Sequence, residues 1–158
     1  MTCIIAHRDG WMAADRRETF QDALIGPYRT AKINRADGIL VASSGSGVLM
    51  DLIREALEAS GADKLRAVVQ VFRDKRDGVS GHALALTPSG ICEITSTGGL
   101  SWLDSDHWAI GSGYPFALGW LGAIAAQRQI TPDDALNAIN FAATRVNDVG
   151  DGIQVERL

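Results

Sequence analysis

A chain of 158 residues has the length of one domain, and residues 1–158 are read as a single unit. Hydrophobic residues at 46% and charged residues at 22% suit a chain that buries a core and exclude a disordered one. A net charge of −4, with Arg16-Arg17 and Lys75-Arg76 as the basic doublets among acidic neighbours, excludes a nucleic-acid footprint, and no apolar run nears the ~20 residues of a membrane span.

The first predicted element is a hairpin. Thr2 to Arg8 reads as a strand, Asp9-Gly10 as a two-residue turn, and Trp11 to Asp15 as the return strand. Residues 16–30 read as polar and irregular, broken by Gly26-Pro27. A second hairpin follows, with Lys32-Ile33-Asn34 and Ile39 to Ser43 around Asp37-Gly38. Two helices come next. Val48 or Leu49, Leu52, Ile53 and Ala56 fall at helical spacing, and so do Leu65, Val68, Val69 and Phe72. After a loop from Asp74 to Gly81, strands His82 to Leu86 and Ile91 to Ser96 flank the turn Thr87-Pro88-Ser89-Gly90. A short strand, Trp108-Ala109-Ile110, leads through Gly111-Ser112-Gly113 into a helix from about Pro115 to Gln127. Thr131-Pro132-Asp133-Asp134 starts another helix, with Thr as N-cap, Pro at the first position and acids in the first turn. Its expected buried stripe is Leu136, Ile139, Ala143 and Val146, and Ile153-Gln154-Val155 closes the chain as a strand.

Strands come as hairpins and helices as pairs, unlike the alternation of a parallel sheet. The expected architecture is α+β, an αββα sandwich in which two antiparallel sheets lie face to face between helix layers.

Several motifs carry less than they first suggest. Ser44-Gly45-Ser46-Gly47-Val48-Leu49 follows a strand and opens a helix, but Met50 stands where a dinucleotide-binding turn needs its third glycine. His7, His82 and His107 lack metal-ligand spacing, so no metal and no cofactor is expected. Cys3 and Cys92 make neither a disulfide framework nor a metal site. With no basic segment leading into an apolar one at the start, a cytoplasmic location is expected. The four tryptophans read as packing.

The start of the chain carries the chemistry. If Met1 is removed, Thr2 becomes a free amino-terminal residue holding a nucleophilic hydroxyl and a base, its own α-amine, which ordinarily titrates near pH ~8. Three further segments bear on that possibility. They are Asp9-Gly10-Trp11-Met12-Ala13-Ala14-Asp15-Arg16-Arg17-Glu18-Thr19, Lys32-Ile33 followed by Ile39 to Gly45, and Ala109 to Ala117 with its Gly111-Ser112-Gly113 core. Together with Thr2, in this order and spacing, they resemble the proteasome β-subunit/HslV-like family of N-terminal nucleophile hydrolases over residues 2 to about 117. The resemblance implies the αββα sandwich and a threonine peptidase. In it Thr2 attacks the peptide carbonyl, Lys32 depresses the pKa values of the amine and hydroxyl, and Asp15 fixes Lys32. It also implies that Ser112 bonds the terminal amine, and that backbone N–H groups of Ser43, Ser44 and Gly45 form the oxyanion hole.

The family has a supporting acid and serine near its C-terminal end. Asp148 in Asn147-Asp148-Val149-Gly150-Asp151-Gly152 is the candidate for the acid, and the serine has no counterpart. Counting back from Asp9-Gly10 places Met1 opposite the nucleophile, and a first strand one residue shorter restores Thr2. By resemblance the substrate is unfolded polypeptide, the assembly a homo-oligomeric ring and the partner an ATP-dependent unfoldase. Two alternatives stay open at this level: a silent scaffold subunit that keeps Met1, and an amidase acting on small amides.

Overall fold

The computed structural model describes residues 2–17, 19–20, 23–24, 31–61, 63–74, 79–150 and 152–158. In chain order the elements are β1 (Ile4–His7), β2 (Trp11–Asp15), β3 (Thr19–Phe20), β4 (Ala23–Leu24), β5 (Ile33–Ala36), β6 (Ile39–Gly45), α1 (Gly47–Ala59), α2 (Lys64–Asp74), β7 (Gly81–Thr87), β8 (Gly90–Ile94), β9 (Leu100–Trp102), β10 (His107–Ile110), α3 (Tyr114–Ala125), α4 (Pro132–Ala143) and β11 (Ile153–Arg157). They form a four-stranded sheet in the order β10-β1-β2-β11 and a five-stranded sheet in the order β5-β6-β7-β8-β9, both antiparallel. A short β3-β4 pair stands apart.

The two-residue periodicity of the strands assigns the layers. Ile4, Ala6, Met12 and Ala14 of the first sheet meet Ile33, Leu40, Ala42, Leu84, Leu86 and Ile91 of the second in a core between the sheets. The alternate residues Ile5, Trp11 and Ala13 face α3 and α4, while Val41, Ala83, Ala85 and Cys92 face α1 and α2. This is the expected four-layer αββα sandwich.

The differences from expectation are local. His7 pairs with Trp11, so the first hairpin closes over three residues, Arg8 to Gly10, and not over two. The His7 ring supplies the reason, because its Nδ1 accepts the Asp9 N–H at 3.1 Å while the His7 carbonyl accepts from Gly10 at 3.1 Å. The second hairpin does close over Asp37-Gly38, with Ala36 opposite Ile39. In α1 it is Leu49 that is buried, and Val48 is exposed. The stripe of α4 is turned from the expected one: Ala135, Ala138, Ile139 and Ala142 are buried, whereas Leu136, Ala143 and Val146 sit at its margin. The N-cap sets that phase, with Thr131 and Asp134 forming a reciprocal capping box. The forked Arg128 guanidinium, at 2.7 Å on both oxygens, and bonds from Thr131 hold the Asp134 carboxyl well below the usual carboxylate range.

Three strands were not expected. β9 is short and follows two glycines, and β3 and β4 lie in the stretch read as irregular. The strand read as ending at Ser96 stops at Ile94, where a turn closed by the Gly98 N–H on the Thr95 carbonyl begins. The tryptophans divide: Trp11 is buried as packing, whereas Trp102 and Trp120 are exposed. Gly26-Pro27, Lys75-Arg76, Asp151 and Met1 lie outside the described residues. Among the described residues no helix is long and apolar enough to cross a membrane.

Candidate active site

Thr2, Asp15 and Lys32 arrive from three strand ends at one edge of the sandwich. Thr2 precedes β1, Asp15 ends β2, and Lys32 precedes β5 on the opposite sheet. Antiparallel pairing of β1 with β2 makes the start of one the neighbour of the end of the other, and stacking of the two sheets brings in the lysine. The Thr2 hydroxyl donates to Asp15 Oδ1 and accepts from Lys32 Nζ at 2.7 Å. Lys32 Nζ also reaches both Asp15 oxygens, at 3.2 and 3.1 Å. All three residues are buried, at 2%, 0% and 4% exposure, so this is no surface ion pair. An isolated charge there would cost several kcal/mol; the pair is tolerated because its hydrogen-bonding capacity is filled.

The rest of that capacity comes from the backbone. Asp15 accepts from Cys3 N–H at 2.7 Å, Arg17 N–H at 3.1 Å and Gly150 N–H at 3.2 Å. Gly150 has φ +145, and a Cβ there would lie 2.9 Å from the Arg17 guanidinium, so glycine lets that loop close over the carboxylate. Arg17 donates to the Asn147 carbonyl at 2.5 Å and ties down the same loop. Gln154 fixes the lysine's approach. Its side-chain oxygen accepts the Lys32 and Ile33 N–H groups at 3.0 and 3.2 Å, and its nitrogen donates to the Ile33 carbonyl at 3.2 Å.

Sequence reasoning missed Gly150 and Gln154. Gln154 left a signal: it lies opposite Ala14 in the register, an inward position where an apolar residue would be routine.

Ser112, which the resemblance assigns to the terminal amine, approaches the Thr2 carbonyl. Its Oγ is 3.5 Å from the Thr2 carbonyl, which also receives the Gly113 N–H at 3.3 Å. Gly111 must be glycine, since at φ +93 a Cβ would fall 2.1 Å from the Thr2 carbonyl oxygen. Ser43, Ser44 and Gly45 form the end of β6 on the same edge. The Ser46 N–H goes to the Ser80 carbonyl at 3.0 Å, on the β7 side. By alternation Ser44 directs its N–H the same way, leaving Ser43 and Gly45 as donors toward the opposite side. Asp148 is buried in the loop that carries Gly150, and among the described residues no hydrogen bond joins it to Thr2, Asp15 or Lys32. The neighbouring thiol is no competitor: burial, with the Asp15 carboxylate adding to it, pushes Cys3 up to about 12. Among the described residues no cluster could hold a metal ion.

The four-layer αββα sandwich is an architecture shared with solved structures. The chain is similar to eukaryotic HslV from Trypanosoma brucei, with 21% identity and a TM-score of 0.75 over 98% of both chains. It is also similar to Thiobacillus denitrificans BPH in complex with epoxomicin, with 20% identity and a TM-score of 0.78 over 100% of this chain and 98% of that one. BPH alone gives 18% identity and 0.75 over 100% and 97%. At such identities the shared property is the fold. No family model and no curated protein matches the chain.

Proposed function

We propose that the chain is a threonine peptidase whose nucleophile is Thr2, exposed by removal of Met1. The observation that carries the reading is the Thr2 hydroxyl held between Lys32 Nζ at 2.7 Å and Asp15 in a buried pocket. The hydroxyl proton passes to the freed α-amine as Oγ1 attacks the peptide carbonyl, with the Lys32 ammonium favouring the alkoxide. Charge on the carbonyl oxygen is met by backbone N–H groups at the end of β6, Ser43 or Gly45. The C–N bond breaks, the leaving nitrogen takes the proton from the α-amine, and Ser112 steadies the transfer. Water then attacks the ester, giving a proton to the amine, and Oγ1 leaves with that proton. Asp15 stays ionised throughout and positions Lys32.

The substrate of this reading is polypeptide, as for the proteasome-like fold. The assembly is a homo-oligomeric ring, supported by the exposed aromatic pair Phe116 and Trp120, one turn apart on α3. An ATP-dependent unfoldase would feed such a ring.

Intact-mass measurement tests the first requirement and fluorogenic peptides the second. The expected result is a chain lacking Met1 that cleaves peptides and stops cleaving on Thr2→Ala. A folded chain that retains Met1 and cleaves nothing overturns the reading in favour of a scaffold subunit.

A further inference from the structure

A cavity of about 490 Å³ opens on the far side of the Gly111-Ser112 segment that touches Thr2, and the proposed chemistry does not use it. It lies at the mouth between the two sheets. The Gly111-Ser112 segment, packed against the Thr2 carbonyl, forms one part of its wall. Trp108 and Tyr114 supply aromatic surface, and Ser44, His82 and Glu93 supply polar groups from β6, β7 and β8. The alternation that puts Leu84 and Ile91 between the sheets also turns His82 and Glu93 inward.

Glu93 is the unusual member. Its side chain is 25% exposed, and the neighbouring His82 Nδ1 is 3.7 Å away, too far for a hydrogen bond. Among the described residues no donor reaches either carboxylate oxygen. A partly exposed carboxylate that no protein donor engages is open to a ligand that brings one. The ligand that fits has an apolar stem to lie along Trp108 and a cationic, multiply donating head for Glu93. A guanidinium serves best because it also stacks on aromatic faces.

We propose that this cavity receives a basic side chain, arginine before lysine, from the substrate residue on the leaving-group side of the scissile bond. The assignment of side rests on the peptidase reading. The leaving nitrogen takes its proton from the α-amine while Ser112 steadies the transfer, so the residue that carries it enters along the Ser112 wall. Acidic side chains at that position meet Glu93 and are disfavoured.

Two measurements on the full chain test this. In an NMR titration with argininamide and its uncharged isostere citrullinamide, argininamide is expected to shift the Trp108 indole signal at about tenfold lower concentration, a difference that Glu93→Gln removes. Equal responses to the two amides, or a difference that survives Glu93→Gln, overturn the site. In the second measurement, paired peptides carry arginine or citrulline just after the scissile bond. Their kcat/KM ratio is expected to be about ten and to fall to about one in Glu93→Gln. A ratio indifferent to Glu93, or a preference residing before the scissile bond, overturns the assignment of side. If the amide difference holds while no peptide is cleaved, the peptidase reading fails and the guanidinium site stands.

Discussion

The two ends of β1 bury titratable groups in opposite ways. At the Thr2 end, Asp15 and Lys32 form an ion pair at 3.1 Å with almost no exposure, and three backbone N–H groups complete the carboxylate. At the other end His7, 4% exposed, stacks on Trp11 with ring centroids 4.8 Å apart and on His107 at 6.4 Å. Burial pushes both histidines below their ordinary pKa, and for His107 the neighbouring His7 adds to it. One end uses its donors to hold charge in place; the other is built to keep its rings neutral. Stability alone is served by the second solution, which supports a chemical purpose for the first.

The contrast can be broken most violently at the charged end. Lys32→Ala leaves Asp15 buried without its partner, and should cost roughly 3–5 kcal/mol of stability in urea unfolding as well as the hydrolytic activity. Asp15→Asn with unaltered peptide cleavage would show that the pair is structural. Next comes Gly111→Ala, whose methyl group cannot coexist with the Thr2 carbonyl at 2.1 Å. Assayed with a fluorogenic peptide, it should lose activity by about 100-fold or more through misplacement of the nucleophile, while the far end of the sandwich keeps its Trp11 fluorescence.

Gln154→Ala should cost about 1–3 kcal/mol, because it strands the Lys32 and Ile33 N–H groups. A shift of its thermal midpoint indistinguishable from zero would remove Gln154 from the account of how Lys32 is placed. The histidine end gives the smallest effect. Its lowered pKa values mean that the unfolded chain takes up protons first as pH falls. Stability is therefore fully present above the ordinary histidine pKa of about 6.5 and declines as pH drops below it. Urea midpoints at pH 7.5 and pH 5.5 should differ in that direction, and less so in His7→Phe; a midpoint that rises on acidification contradicts the neutral stack.

The sandwich and the threonine, lysine and aspartate were legible because each rests on local pattern: paired strands with tight turns, helices of 3.6 periodicity, and short motifs in a fixed order. What supports them was not. Gly150 reaches Asp15 across 135 positions and Gln154 reaches Lys32 across 122, with no local rule linking either pair. The α4 stripe failed for a related reason. Alanines pass for indifferent residues in a periodicity count, yet here Ala135, Ala138 and Ala142 are the buried ones where α4 packs against α3 and β2. The His82 and Glu93 pairing appeared only once register had turned both residues into the same gap.

The two sheets also differ in how the chain supplies them. Strands β5 to β9 and helices α1 and α2 come from one contiguous stretch, whereas β1 and β2 are completed on either side by β10 and β11, which follow that stretch. On the ribosome the first half-sandwich can therefore mature while the opening hairpin still waits for its flanks. The loop bearing Gly150 follows Asp15 by 135 positions, so the carboxylate gains that N–H only after β1 to β10 and helices α1 to α4 have been made.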